Sequence, residues 1–431
     1  MERKINEKLE EWRKKKNRLP LIIQGARQVG KTHSILLFGR NSFDSLLYFN
    51  FESNSELHRI FDRDLSPHRI IRELSVIAGE TVNEGRSLIF FDEIQACSRA
   101  LTSLKYFAEE APEYHFIAAG SLLGVAINRG NTSYPVGKVE TINMYPLDFE
   151  EYLWAVGQEE AVEIILDSFT TFRPCSLHET FLDHYRTYLF TGGMPRALKD
   201  YIETNDHLIA GATKRNITNA HIADMARYAE KSETVRIISV YNSMPAQLAK
   251  ENHKFQYKVI KSGARVAQYG SAIDWLKASG TVIACHRISE GHLPLAAYSD
   301  PAAFKLYHSD TGLLITMAGL SEKSILTETD SSIGSGFKGA INENYVATEL
   351  ISSGYTPYYW ESEGKAEVDF VIQTGEYAIP VEVKSAENVR SRSLNEYVRR
   401  YSPPFSYRVS SKNFGNENNI RSIPFYALFC I

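Results

Sequence analysis

The hydrophobic pattern changes character along the chain. Short apolar or β-branched runs at 21–23, 46–51, 88–91, 116–119 and 139–144 predict strands, and segments of helical spacing such as 68–78 and 98–109 lie between them. A charged stretch around Trp12 predicts a short leading helix. Strands that alternate with helices predict a parallel sheet covered on both faces. From Pro146 the spacing turns helical, through 149–156, 161–169 and 177–190, to the pair Gly192-Gly193. Three helix-like segments and two apolar runs, 281–288 and 306–307, follow between 232 and 318 and predict a small helical domain with a β-wing. The last hundred residues predict a helix at 341–352, strands at 358–360, 368–372 and 379–383, and a helix at 393–401. The expected domains are 1–145, 146–231, 232–325 and 326–431.

Composition narrows the function classes. A length of 431 residues with 43% hydrophobic positions is enough for several cores, which excludes a disordered chain. Lys+Arg at 48 against Asp+Glu at 52 leave a net charge of −4, so any nucleic-acid contact is regional. Residues 241–290 hold seven Lys/Arg against three Asp/Glu, a local +4 that opposes the global sign. No run is long and apolar enough to span a membrane, and the N-terminus is charged where a signal peptide is apolar, so the chain reads as soluble and cytoplasmic. Cys97, Cys175, Cys285 and Cys430 are too scattered for a disulfide frame or a zinc site.

Gly25-Ala26-Arg27-Gln28-Val29-Gly30-Lys31-Thr32 fits G-x-x-x-x-G-K-[ST], directly after the first strand and before a helix that continues with His33. Its glycines let backbone N–H groups turn inward around phosphate oxygens, and the helix adds its positive N-terminal end. Lys31 would reach the β- and γ-phosphates of ATP, and Thr32 would ligate Mg²⁺. Hydrolysis needs more. The apolar run Leu88-Ile89-Phe90-Phe91 ends in Asp92-Glu93, where Asp92 can hold the metal and Glu93 can act as base on the attacking water. Ser121, after Gly120 at the end of the next strand, is the candidate γ-phosphate sensor.

Two further segments carry candidate chemistry. The helix-like 266–277, with Gly280 and a strand after it, suits a winged helix in which the basic residues of 258–265 meet DNA phosphates. Near the C-terminus, two apolar strands each present an acid, Asp369 and Glu382, and Lys384 shares a strand face with Glu382. Glu343, on the preceding helix, could approach them. Such a set could hold one or two Mg²⁺ or Mn²⁺ ions at Asp369 and Glu382, with Lys384 orienting water for phosphodiester cleavage.

The loop with Arg-Gln-Val inside it, the Asp92-Glu93 pair, Gly120-Ser121, the stretch Tyr145-Pro146-Leu147-Asp148-Phe149-Glu150-Glu151-Tyr152 and the Gly192-Gly193-Met194-Pro195 turn together resemble a prokaryotic AAA-like P-loop ATPase family. That family is related to the signal-transduction and archaeal ATPases and ends in a domain of unknown function. The resemblance implies that Pro195 packs on the adenine, that Arg196 is a second sensor, and that a neighbour's arginine completes the site in a homo-oligomer. Where the family has Gly-Arg this chain has Gly137-Lys138, and a lysine offers no planar fork to a phosphate, which leaves Arg129 as a substitute. The C-terminal set resembles the PD-(D/E)xK nuclease fold. The expected class is α/β: a P-loop NTPase sheet, a helical lid, a winged-helix domain and a nuclease-like domain. Its expected function is Mg-ATP hydrolysis coupled to action on DNA or RNA, with a regulatory ATPase whose last domain only binds a partner as the alternative.

Overall fold

The computed structural model describes residues 1–128, 134–250, 253–321, 334–362, 366–384 and 392–431, so Arg129 lies outside the described residues. The chain divides into two compact units, one of Glu2–Tyr145 with Ala278–Gly280 and one of Pro146–Lys277 with Thr281–Ile431 and Met1.

The first unit is built on five parallel strands: β1 (Leu21–Gln24), β2 (Ser45–Asn50), β3 (Ser87–Asp92), β4 (His115–Gly120) and β5 (Glu140–Asn143), in the order β2-β3-β4-β1-β5. Every residue of β3 and β4 is buried, as continuous apolar runs require when helices cover both faces. Phe91 centres the core, with Phe51, Phe61, Phe107 and Phe116 rings at centroid distances of 5.3–6.3 Å. Parallel strands direct all their carboxyl ends to one edge. The residues that follow β1, β3 and β4 therefore meet there, although they are far apart in sequence.

The second unit holds an eight-stranded sheet in the order β12-β13-β11-β10-β9-β8-β6-β7. Its strands are β6 (Val282–Ile288), β7 (Ser299–His308), β8 (Tyr358–Ser362), β9 (Ala366–Thr374), β10 (Tyr377–Lys384), β11 (Ser406–Ser410), β12 (Gly415–Glu417) and β13 (Ile420–Pro424). This departs from the expectation of a separate winged-helix domain. The hairpin β6–β7 follows the helix Val266–Ala278, as the pattern predicts, but it does not project as a wing: β6 pairs in parallel with β8 of the C-terminal sheet. The reason is that β6 is apolar on both faces. Ile283 and Cys285 enter the main core, whereas Ile288 packs with Trp360 and Tyr397 on the other side.

The helices after Pro146 also share that main core. Tyr185 stacks on Phe425 at 4.9 Å, Tyr345 donates to Phe425 O, and the backbone N–H of Phe149 donates to Glu349 Oε1 at 3.1 Å. The expected lid and nuclease-like domains are thus parts of one packed body. The glycine pair is explained in the same way. A Cβ on Gly193 would lie 2.1 Å from Leu147 O, and Asp310 Oδ2 accepts the Gly193 amide at 2.7 Å. Cys97, Cys175 and Cys285 are buried and Cys430 partly buried, and none of the four forms a disulfide. No helix among the described residues is long and apolar enough to cross a membrane.

His115, which opens β4, is packed edge-on against Trp12 and Phe43, and its Nδ1 finds no hydrogen-bond partner among the described residues. Burial, with the charges of Arg18 and Arg13 behind it, pulls its pKa from 6.5 down to about 4. Above pH 6.5 the ring is neutral in both states and adds no pH dependence to stability. As pH falls toward 4, the unfolded chain takes up a proton that the buried ring refuses, which removes up to about 3 kcal/mol of stability. Urea unfolding across that range should show this loss in the parent and a flatter profile in His115→Phe; equal slopes would exclude His115 as the source.

Candidate nucleotide and metal site

The turn after β1 has the strained backbone that the glycine spacing predicts. Gly25 (φ 148°), Gln28 (φ 67°) and Gly30 (φ 99°) all lie at positive φ, and a Cβ on Gly25 would stand 2.1 Å from Met144 O. Gly30 caps the helix Lys31–Ser42 without a side-chain acceptor, which leaves its first N–H groups for a ligand. Lys31 is 7% exposed and folds back over the loop, donating to Gly25 O and Ala26 O, each at 2.8 Å. Ala26 and Val29 are buried, Arg27 and Thr32 are partly so, and Gln28 and His33 face solvent.

Asp92, the last residue of β3, is 3% exposed and reaches this loop. Thr32 Oγ1 donates to Asp92 Oδ2 at 3.1 Å, which joins two positions sixty residues apart. Two residues missed by sequence reasoning serve the same oxygen: Tyr48 OH at 3.0 Å and Asn50 Nδ2 at 3.4 Å, both from β2. Burial, then the neighbouring Glu93 charge, pushes the Asp92 carboxyl above its ordinary value. A hard dication would reverse that shift. A threonine hydroxyl and a carboxylate side by side, next to a phosphate-binding turn, are the oxygen donors that Mg²⁺ takes when substrate phosphates complete its shell.

Glu93 sits in the left-handed region (φ 49°, ψ 44°), a conformation that costs a non-glycine residue about 1–3 kcal/mol and that collects at functional sites. Gln95 Nε2 donates to Glu93 Oε2 at 2.5 Å, and Ser121 Oγ donates to the same oxygen at 3.4 Å. Lys31, Thr32, Asp92, Glu93 and Ser121 are therefore one constellation. Arg3 supports it from behind: its guanidinium donates to Val29 O at 2.9 Å and Tyr145 O at 2.8 Å. No sequence signal marks Arg3, Tyr48 or Asn50, because each acts through a partner distant in the chain. Lys138 pairs with Glu109 at 3.0 Å.

Pro195 and Arg196 belong to the other unit. Pro195 opens the helix Pro195–Thr204, and the exposed Arg196 pairs with Asp200 at 2.9 Å. The C-terminal set also lies in that unit. Glu382 is 2.5 Å from Lys384 Nζ, Asp369 Oδ2 accepts the Val383 amide at 2.7 Å, and Glu343 is buried against Lys305, Tyr307 and His253. Desolvation, then the charges of Glu382 and Glu343, pushes the Asp369 carboxyl well up. Glu343 is the opposite case: burial works to raise it, but Lys305 and His253 outweigh burial and bring it down to about 2.

Residues 17–153 match the model of the AAA domain family (AAA_14). Residues 182–324 and 338–427 match two domains of unknown function, DUF8612 and DUF4143. No curated protein matches the chain. Among solved structures, a Walker-type ATPase of Pyrococcus abyssi is 14% identical over 73% of this chain and 94% of its own, with a TM-score of 0.42. The ORC2 protein of Aeropyrum pernix, in ADPNP–ADP complexes, is 12% identical over 70% and 87%, at 0.31. A signal transduction ATPase with a tetratricopeptide repeat sensor from Pyrococcus horikoshii is 14% identical over 82% and 45%, at 0.28.

Because Gly25 has no room for a Cβ, Gly25→Ala must displace the turn against Met144, at about 1–3 kcal/mol. Thermal unfolding should show a lowered midpoint together with lost nucleotide-induced stabilisation. An unshifted midpoint with full ATP response would contradict the close approach.

Proposed function

We propose that the protein binds ATP with Mg²⁺ and hydrolyses it. The observation that carries this reading is the 3.1 Å contact of Thr32 Oγ1 with Asp92 Oδ2 beside the Gly25–Thr32 turn. Loop amides and Lys31 take the β- and γ-phosphates, phosphate oxygens replacing the two carbonyls that Lys31 now contacts. Thr32 and Asp92 hold Mg²⁺, which when bound neutralises charge that develops on the phosphates. Glu93 orients the attacking water and accepts its proton, with Ser121 and Gln95 fixing the carboxylate until water arrives. Glu93→Gln should keep ATP affinity and lose turnover by about 10²–10⁴-fold, measured as phosphate release. Unchanged turnover would remove Glu93 from its role.

The nucleotide state is passed to a second unit that recognises its partner without cutting it. Lys254, Lys277 and Arg287 are each held by an acid, Glu361, Asp274 and Asp300, so among the described residues the basic side chains that remain for nucleic acid are Lys250, Lys258, Lys261 and Arg265, all exposed. Recognition is favoured over cleavage because Lys305 already pairs with Glu367 at 2.7 Å and Lys384 with Glu382 at 2.5 Å. Labelled duplex DNA and RNA, incubated with the protein, ATP and Mg²⁺ or Mn²⁺, should be bound through Lys250, Lys258, Lys261 and Arg265 and recovered intact. Degradation that vanishes in Lys384→Ala would establish the nuclease instead.

A further inference from the structure

The carboxylates that resemble a metal-dependent nuclease site enclose a lysine. β7 carries Lys305 among them with its side chain 1% exposed, its Nζ 2.7 Å from Glu367 Oε1 and 3.4 Å from Glu343 Oε2. Tyr307, two residues on, donates to Glu343 Oε2 at 2.9 Å, and His253 Nδ1 lies 2.9 Å from the other oxygen. Burial alone would strip the proton from Lys305, but Glu343, Glu367 and Asp369 outweigh it and keep the ammonium charged, well above its ordinary pKa. On β10, Lys384 covers Glu382, and Lys254 holds Glu361 at 2.5 Å and Glu367 at 3.6 Å.

A divalent ion needs several oxygens around a point free of other cations. Here an ammonium already stands within hydrogen-bonding reach of two carboxylates, and a dication drawn to the same acids would meet it at short range in a poorly screened interior. Among the described residues no three His, Cys, Asp or Glu side chains converge to hold a metal. The residues present do not fit a resident ion.

We infer that Lys305 is the fixed cation of this site, supplied by the β6–β7 hairpin in place of a metal, so that the cluster locks the hairpin to the C-terminal sheet. This rests on the recognition reading and gives it a cause. It also explains why β6 and β7 extend the C-terminal sheet: the acids of the sheet and its helix need a counter-charge, and the hairpin delivers it. Removing the lysine would leave Glu343 and Glu367 as vacant ligands for an added ion.

The test is Mn²⁺ binding to the full-length, nucleotide-free protein, followed by the loss of the free-ion electron paramagnetic resonance signal. Asp369→Asn and Glu382→Gln should bind as much Mn²⁺ as the parent. Lys305→Met, checked for a native circular dichroism spectrum and retained ATP binding, should gain one Mn²⁺ per chain, and Glu343→Gln in that background should abolish the gain. A parent that loses a bound Mn²⁺ on Asp369→Asn or Glu382→Gln overturns the inference, whether or not Lys305→Met folds. So does a folded Lys305→Met that gains none. The two readings fail separately: an intact-substrate result alongside an Asp369-dependent Mn²⁺ would sink only this inference, and cleavage without such an ion would sink only the recognition reading.

Discussion

The first unit depends on how one buried carboxylate is satisfied. Asp92 ends a strand with no exposed residue, where an ionised group is costly unless donors surround it. Thr32, Tyr48, Asn50 and the Glu93 amide supply those donors, and hydrogen bonds to a charged group contribute about 1.5–3 kcal/mol each. The strand order makes this possible. β4 separates β3 from β1, yet all three direct their carboxyl ends to one edge, so a threonine after the first strand can meet an acid after the third. The raised pKa of Asp92 shows that the donors do not fully offset burial and the adjacent Glu93. A site left short of positive charge next to a glycine-rich turn is one that, on the proposed reading, a metal-bound triphosphate would complete.

The second unit solves the opposite problem. Its acids are numerous and its interior supplies cations to match: Lys305 to Glu343 and Glu367, Lys384 to Glu382, Lys254 to Glu361. Buried pairs of this kind are weak sources of net stability but strong determinants of which segments meet, since separating them leaves a charge uncompensated. The same unit buries Asp310 against the Gly193 amide and places Lys214 on the face of the Phe190 ring at 3.8 Å. Polar groups thus fix the Gly192-Gly193 turn that leads into Pro195.

How much of this was legible in the sequence depended on whether the cause was local. The continuous apolar runs predicted the buried strands, and the glycine spacing predicted a turn that only positive φ allows, because strand periodicity and backbone sterics act within a few residues. Tyr48 and Asn50 were not legible, since on the edge strand β2 they look like ordinary solvent-facing positions until β3 is laid beside them. Lys305 was hidden just before a run, 306–307, that spacing reads as half of a wing. Only the pairing of β6 with β8 shows that its neighbours are the acids of the C-terminal segment. The shared core of the helices after Pro146 and the last sheet was also beyond reach, because contacts such as Tyr185 with Phe425 span most of the unit and leave no periodic trace.

The central claim is that a triphosphate and its metal occupy the edge where Thr32 and Asp92 meet. A crystal of the full chain grown with a non-hydrolysable ATP analogue and Mn²⁺, measured for anomalous scattering, tests this most directly. The account predicts a single strong peak at coordination distance from Thr32 Oγ1 and from the β- and γ-phosphates, on the Asp92 side of the loop, with Lys31 Nζ moved off Gly25 O and Ala26 O onto phosphate oxygen. An analogue bound elsewhere, or a loop unchanged with Lys31 still on its own carbonyls, would contradict it.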